Sequence, residues 1–533
     1  MLKRTGIILS IMVTMALVSA ISLSFGVRPA TADDAGQVNL SPVELPEKGN
    51  LKLSSKLTRL ISANEHAEAE EFARPRGIEL VDGSIRVIIE CLAGEVKAVA
   101  EAAGALGVVQ LTTRRLVQAV VPITSLTALA DTPGIRFVRL PWRPVLEEEV
   151  VSQGVDLIEA DEWHTAGFDG TGVKVGILDT GFAGYSALLG SELPNDNDVE
   201  ENWGPGGEGN SDHGTACAEI VYDIAEGAQF YLAKYGTDAE FEDAVDWFIE
   251  EEVDVISCSG SYPAKGPGDG TGPICEVVDA ARAAGIVWSQ AVGNYAQRHW
   301  EGPFVDTDTD GRHDFRQNPR DESNTVAVEL GDKILVFLNW DDTWGESGND
   351  YDLYLYNKFG GQPVARGDDV QDGDDDPYEW LEWTATYTGN YRIYIDAWGE
   401  PDVVNLSLYS VKINLEYQVA SSSFVVPADS PNAMAVGAVH WDTPTEIEDY
   451  SSRGPTTDDR KKPDLVAPTC VETATDNSFC GTSAATPHAA GAAVLVKECY
   501  SSYAPAGVQS LLENNAVELG AAGKDNVLRR GRL

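Results

Sequence analysis

Ser483 stands in GTSAATPHAAG, a Gly-Thr-Ser turn that runs into the small and apolar stretch AATPHAAGAAVLVKECY. Apolar residues occupy every face of that stretch and not a single stripe, which predicts a loop followed by a buried helix. At such a helix N-terminus the Ser483 backbone N–H is one of the unsatisfied donors of the first turn, and the positive end of the helix dipole favours an oxyanion beside it. That setting suits acyl transfer with the serine as nucleophile. Serine is equally a common N-cap, and this segment alone leaves both roles open.

Two upstream segments bear on the choice. GTGVKVGILDTGF sets glycines around an apolar run, Val173 to Leu178, which predicts a buried parallel strand with Asp179 at its carboxyl end. Open α/β sheets place ligands at that end. SDHGTACAEIVYDIAEGAQFYLAKYG puts His213 at the start of a second small-residue helix, followed by a strand from Gln229 to Ala233. Taken singly, a strand-ending aspartate is often a helix cap and a lone histidine a satisfied structural residue. Arriving together in the order Asp, His, Ser, they have the residue types that nucleophilic catalysis requires.

DTG at Asp179, HGT at His213 and GTSAATPH at Ser483 resemble the three signatures of the subtilisin-like serine proteases, the subtilases. SCSGS at Ser257 to Ser261, AVGN ending in Asn294, YSSRGP and KPDLVAPT extend the resemblance. It implies an α/β fold, a subtilisin-like parallel sheet with helices on both faces, and a secreted serine endopeptidase acting on protein or peptide substrates with no cofactor in catalysis. In that scheme Ser483 attacks the scissile carbonyl, His213 takes and returns its proton, and Asp179 holds the imidazole tautomer. Asn294, whose ordinary explanation is a turn residue after Gly293, would complete the oxyanion hole. Ser257, Cys258, Ser259 and Gly260, with Ala291, Val292 and Gly293, would flank the specificity pocket, where extended substrate pairs with an exposed strand. Cys258 and Ser259 depart from the family's commoner SLGG, so the preferred side chain is open.

The elements that must position these groups fall into five segments. Residues 1–32 have a basic start, an apolar stretch and Ala30-Thr31-Ala32, the pattern of a signal peptide, with an uncleaved membrane anchor as the alternative. Residues 33–150 follow, with a core at about 85–140. There IRVIIECL, EVKAVAEAAGAL, LVQAVVP, SLTALADTPG and IRFVRLP read as strand, helix, strand, helix, strand, a ferredoxin-like α+β unit. It resembles the subtilase propeptide, an inhibitor carried in cis, with self-cleavage expected between Pro141 and Gly154; a domain that stays attached is the alternative. Residues 151–299 and 417–533 read as the two parts of the catalytic domain. Between them, 300–416 alternates aromatic and β-branched residues, as in KILVFLNW, YDLYLYN and NYRIYIDAW, between acidic or glycine turns, which predicts an inserted all-β sandwich.

That insert opens with VDTDTDGRHDF, where Asp306, Asp308 and Asp310 precede Gly311 at the spacing of a calcium loop, with Asp314 joining them. Gln317 occupies the place of an EF-hand's bidentate glutamate, and acidic loops are often merely solvated. Asp341, Asp342, Asp350 and Asp352 form a sparser cluster. The chain carries 85 acidic against 38 basic residues, a formal charge of −47, which argues against nucleic-acid or anionic-membrane partners and for cation binding. Seven cysteines suit an exported chain; Cys470 with Cys480 is the first expected pair and Cys258 with Cys275 the next. Cys217, one turn after His213, is where some subtilases keep a free thiol. A monomer is expected, in the medium or the cell envelope. Two other classes remain: an inactive scaffold with the same fold, and an envelope adhesin binding a polymer through the insert.

Overall fold

The computed structural model describes residues 50, 52–65, 68–76, 78–142, 152–399, 402–476, 478–519, 523, 525–528 and 531–533. The signal-peptide segment, most of the stretch between Pro141 and Gly154, and Arg529 and Arg530 at the closing segment lie outside them.

Ahead of the parallel-sheet domain come helix α1 (Ser55–Glu65), strand β1 (Ser84–Cys91), helix α2 (Val96–Leu106), strands β2 (Val108–Thr112) and β3 (Leu116–Pro122), helix α3 (Leu126–Ala130) and strand β4 (Ile135–Arg139). The sheet is antiparallel in the order β4-β1-β3-β2, the ferredoxin-like arrangement. Two elements differ from the sequence reading. Helix α1 precedes the unit, and β2 stands between α2 and β3. β2 is an edge strand, mostly half-buried, so VVQLT lacks the clean alternation that marks a two-faced strand.

The parallel-sheet domain follows with β5 (Lys174–Asp179), β6 (Val199–Asn202), helix α4 (His213–Ile224), β7 (Gln229–Lys234), helix α5 (Asp238–Glu250), β8 (Val255–Cys258), helix α6 (Pro273–Ala283) and β9 (Val287–Ala291). After the insert's strands β10 (His299–Pro303), β11 (Asn324–Val328), β12 (Lys333–Trp340), β13 (Asp350–Tyr356), β14 (Ala365–Gly367), β15 (Tyr378–Thr384), β16 (Gly389–Trp398) and β17 (Asn405–Ser410), it resumes with β18 (Met434–His440), β19 (Leu465–Thr469) and helices α7 (Thr482–Cys499) and α8 (Pro505–Asn515). Its seven strands run parallel in the order β19-β18-β9-β8-β5-β7-β6. The two-residue period of a strand sorts side chains to opposite faces. Val175, Ile177, Phe230 and Leu232 join the core under α4 and α7, whereas Leu178, Tyr231 and Ala233 join the one under α5 and α6. Because both faces are covered, the strands read as unbroken apolar runs.

The insert is a sandwich of two antiparallel four-stranded sheets, β10-β17-β12-β15 and β11-β16-β13-β14. Its core holds Val336, Leu338, Tyr351, Leu353, Tyr391 and Ile393. It is fixed to the parallel-sheet domain by an edge-on contact between Tyr295 and Tyr409, ring centroids 5.5 Å apart, and by Asn339 Nδ2 donating to the Gly266 carbonyl at 3.3 Å.

Cys470 and Cys480 form a disulfide, as expected. Cys258 and Cys275 do not: both are buried free thiols, Cys258 turned to the Gly260 carbonyl at 3.6 Å and Cys275 to Asp429 at 3.5 Å. Among the described residues no helix is long and apolar enough to cross a membrane.

Helices α4 and α7 cross at Gly491, where an added Cβ would come within 2.8 Å of Ile224 Cβ and Cγ2. Alanine at a helix interior normally gains about 1 kcal/mol over glycine, but overpacking costs about 1–3 kcal/mol. Gly491→Ala should therefore lower the midpoint of chemical denaturation with the slope unchanged; a raised midpoint would show that the crossing relaxes freely.

Candidate active site

The carboxyl end of β5 delivers Asp179, and the first turn of α4 delivers His213 beside it. Close approach is possible because the next residue is glycine. A Cβ on Gly214 would meet the Gly181 carbonyl at 2.6 Å and Asp179 Cβ at 2.7 Å. Asp179 Oδ2 lies 2.8 Å from His213 Nδ1, and both side chains are almost wholly buried. The carboxylate can only accept, so Nδ1 carries a proton and the neutral ring presents Nε2 as its basic nitrogen. That Nε2 is buried without a hydrogen-bond partner, and so is Ser483 Oγ.

Ser483 sits in the first turn of α7, and Pro487 follows it by four residues inside the same helix. Pro487 cannot donate the N–H that would normally reach the carbonyl four residues back, which is the carbonyl of Ser483. Two side chains take over. Ser259 Oγ donates to that oxygen at 3.0 Å, and Cys217 Sγ lies 3.7 Å from it. The same sulfur is 3.9 Å from His213 Nδ1, so the thiol bridges the floor beneath His213 and Ser483. Burial raises the Cys217 pKa, which keeps the thiol protonated, a poor nucleophile but a serviceable donor. Asp179, His213 and Cys217 do offer donor atoms within 4.8 Å of one another, but the aspartate and the ring nitrogen facing it are committed to each other.

Asn294 follows Gly293, whose φ of +103° turns the chain at the end of β9. Thr482 N donates to Asn294 Oδ1 at 2.9 Å. A backbone N–H can only donate, so the facing atom is oxygen and the amide NH2 points away as an available donor. Thr482 Oγ1 in turn accepts from Gly293 N at 3.2 Å, which ties the two segments together. The structure thus brings Asp179, His213, Ser483 and Asn294 to one end of the parallel sheet.

Of the expected pocket residues, Ser257 lies within β8 and Ala291 ends β9, Gly260, Val292 and Gly293 follow those strands, and all five are buried, Val292 against Phe424 and Ala435. Cys258 and Ser259 face inward: burial pushes the Cys258 thiol up to about 12, and Ser259 serves the Ser483 carbonyl instead of a pocket wall. Ser259, Thr482 and Cys217 were not legible as supports. The overlooked signal was Pro487, whose position four residues after Ser483 announces an orphaned carbonyl in need of partners.

Asp306, Asp308 and Asp310 have carboxylate oxygens within 4.8 Å of one another. Asp314 is not one of that trio; its Oδ2 accepts from the Thr307 amide at 2.9 Å and from the Thr307 hydroxyl at 2.5 Å. Both oxygens of Asp306 accept loop amides, and Asp308 pairs with Arg320. The sparser cluster does not assemble. Asp342 Oδ2 is spent on Ser347, Gly348 and Asn349, and Asp352 on Tyr354 and Trp398.

A seven-stranded parallel sheet that ends in a buried Asp–His pair beside a helix-borne serine defines the subtilisin-like architecture. The profile of the subtilase family matches residues 170–335 and 381–531, and the chain belongs to that family. It is 30% identical to subtilisin DY of Bacillus licheniformis over 162 residues, which are 27% of this chain and 56% of that one. To subtilisin E of Bacillus subtilis it is 34% identical over 198 residues, 33% of this chain and 46% of that one. The chain spans about half the length of the curated relatives it matches. In fold it is similar to the CspB protease of Clostridium perfringens, with a TM-score of 0.52 at 16% identity, covering 71% of this chain and 97% of that one.

Burial works against the imidazolium, but the Asp179 carboxylate overcomes it and holds the His213 pKa well above the ordinary 6.5. Asp179→Asn removes that charge and leaves burial opposed only by Cys217. The His213 proton, lost above pH 6.5 in the parent, should then be lost at lower pH; the ring signals in NMR titration report this directly, and an unchanged midpoint would mean that Asp179 does not set the charge.

Proposed function

We propose that this chain is an exported serine endopeptidase, made with a cis-acting inhibitor that it cleaves from itself. The observation that carries the reading is the 2.8 Å Asp179–His213 hydrogen bond, with His213 Nε2 and Ser483 Oγ left without partners. Once a scissile carbonyl is bound, Oγ attacks its carbon while its proton passes to Nε2. The oxyanion that forms takes the Ser483 backbone N–H and the Asn294 amide, both available at the helix N-terminus. The imidazolium, stabilised by Asp179, protonates the leaving amine, and water then repeats the sequence in reverse to free the acyl group. Because the base must be neutral to accept, the raised pKa places the acid limb of kcat/KM on the alkaline side of an ordinary imidazole's. The basic and apolar residues 1–32 support export, and the ferredoxin-like unit supports the inhibitor role.

A fluorophosphonate probe tests the assignment together with the processing. The full chain should be labelled and should acquire a new amino terminus between residues 141 and 154. Ser483→Ala should lose both, and Asn294→Ala should slow turnover by roughly 100- to 1,000-fold, a scale taken from subtilisin itself. Absence of labelling in processed protein would favour the scaffold reading.

A structural calcium ion at Asp306, Asp308 and Asp310 forms a second part of the proposal, resting on the gathering of three carboxylates at alternate positions. Binding there would displace Arg320 from Asp308. Chelation should lower the thermal midpoint of the parent and leave that of Asp306→Asn unmoved; equal responses would remove the site.

A further inference from the structure

The insert meets the N-terminal domain as well as the catalytic domain, and it does so with charge. Lys56 and Arg59 lie three residues apart on α1, and Arg76 lies just beyond it in the chain. Arg76 Nε and Nη2 grip the two oxygens of Asp368 at 3.2 and 3.1 Å, a two-pronged pairing. Arg59 reaches the same carboxylate at 3.3 Å and its backbone carbonyl. Lys56 Nζ lies 3.1 Å from Asp369 Oδ2 and 3.6 Å from Glu379 Oε2. This contact is mostly out of water: side-chain exposure is 6% for Lys56, 8% for Arg76, 10% for Asp368 and 0% for Glu379, rising to 17% for Asp369 and 26% for Arg59. Although burial works against it, the neighbouring carboxylates hold the Lys56 ammonium charged.

On the catalytic side the grip has a different character. Arg139 and Asp238 make a buried pair at 2.7 Å, Gln118 makes buried hydrogen bonds with Glu240 at 3.2 Å and Thr237 at 2.8 Å, and Ile88 and Leu116 pack with Ala239, but the remaining ion pairs are open: Arg114 and Arg115, which pair with Asp246 and with Glu242 and Glu276, keep 53% and 35% of their side chains exposed. Exposed pairs of that kind contribute little and are screened by salt, whereas breaking a buried pair strands a charge away from water. The insert is itself anchored on the catalytic domain through Tyr295, Tyr409 and Asn339, so whatever it holds is held to the enzyme.

We propose that the inserted sandwich is a receptor for the N-terminal domain, in which Asp368, Asp369 and Glu379 clasp Lys56, Arg59 and Arg76 and keep that domain on the enzyme after the connecting segment is cut. This deepens the zymogen reading and rests on it for its biological sense. In consequence, the insert governs when the cut N-terminal domain leaves the enzyme.

The test does not depend on the chain's own activity. A full-length chain carrying Ser483→Ala and a recognition sequence for an added site-specific protease at residues 145–150 is cut by that protease, immobilised through its carboxyl end, and followed for loss of the N-terminal fragment at about 0.15 M salt. The parent should retain the fragment. Arg59→Ala, altering a side chain that is 26% exposed, and Asp368→Asn should each shorten its residence at least tenfold, and Arg76→Asp combined with Asp368→Arg should restore more of it than Arg76→Asp alone keeps. Should Asp368→Asn not fold, Arg59→Ala and the charge exchange carry the test. Release from the parent on cutting, or release from Arg59→Ala at the parent's rate, would overturn the proposal. A wild-type chain that fails to process would count against the zymogen reading alone and would leave this result standing.

Discussion

A carboxylate and an imidazole held 2.8 Å apart out of reach of water constrain almost everything around them. Such a pair is costly to bury and is tolerated only where its geometry is fixed. The parallel sheet fixes one partner, since β5 ends at Asp179, and α4 fixes the other. The glycine that follows His213 removes the one Cβ that would wedge helix and strand apart. Ser483 is then positioned not by the pair but by the floor it shares with them, because the carbonyl that Pro487 releases is tied to Ser259 and set against Cys217.

Much of this was legible in the sequence, and the reason is burial. The strands of the parallel sheet are covered on both faces, so Val173 to Leu178 and its counterparts form apolar runs that little else would produce. Strands of the insert announce themselves by alternation, as in KILVFLNW, which forms β12 from Lys333 to Trp340. What escaped notice was either weakly patterned or satisfied at long range. VVQLT is an edge strand. The roles of Ser259 and Cys217 depend on partners 224 and 266 residues away, which local spacing cannot express. Cys258 and Cys275 lie near in sequence, yet their thiols face different acceptors, so proximity along the chain predicted a disulfide that the fold does not make.

The strong negative charge of the chain is also not spread evenly in its effects. On the insert it is concentrated into buried carboxylates that meet basic side chains of the N-terminal domain, and on α5 into residues such as Asp238 and Glu242 that meet others. The acidic composition is therefore partly an internal matter. A share of it is matched within the molecule, and the excess that makes up the net charge of −47 is not.

One feature of the insert bears on how such a molecule could be built. Its first strand, β10, pairs antiparallel with its last, β17, with His299 opposite Tyr409. The chain therefore leaves and rejoins the parallel-sheet domain at nearly the same point, and the sheet experiences more than a hundred residues as a short connection. A module joined in this way is a removable cassette: it can be lengthened, exchanged or lost without altering the register of β9 against β18, so the two parts of the molecule are free to diversify at different rates.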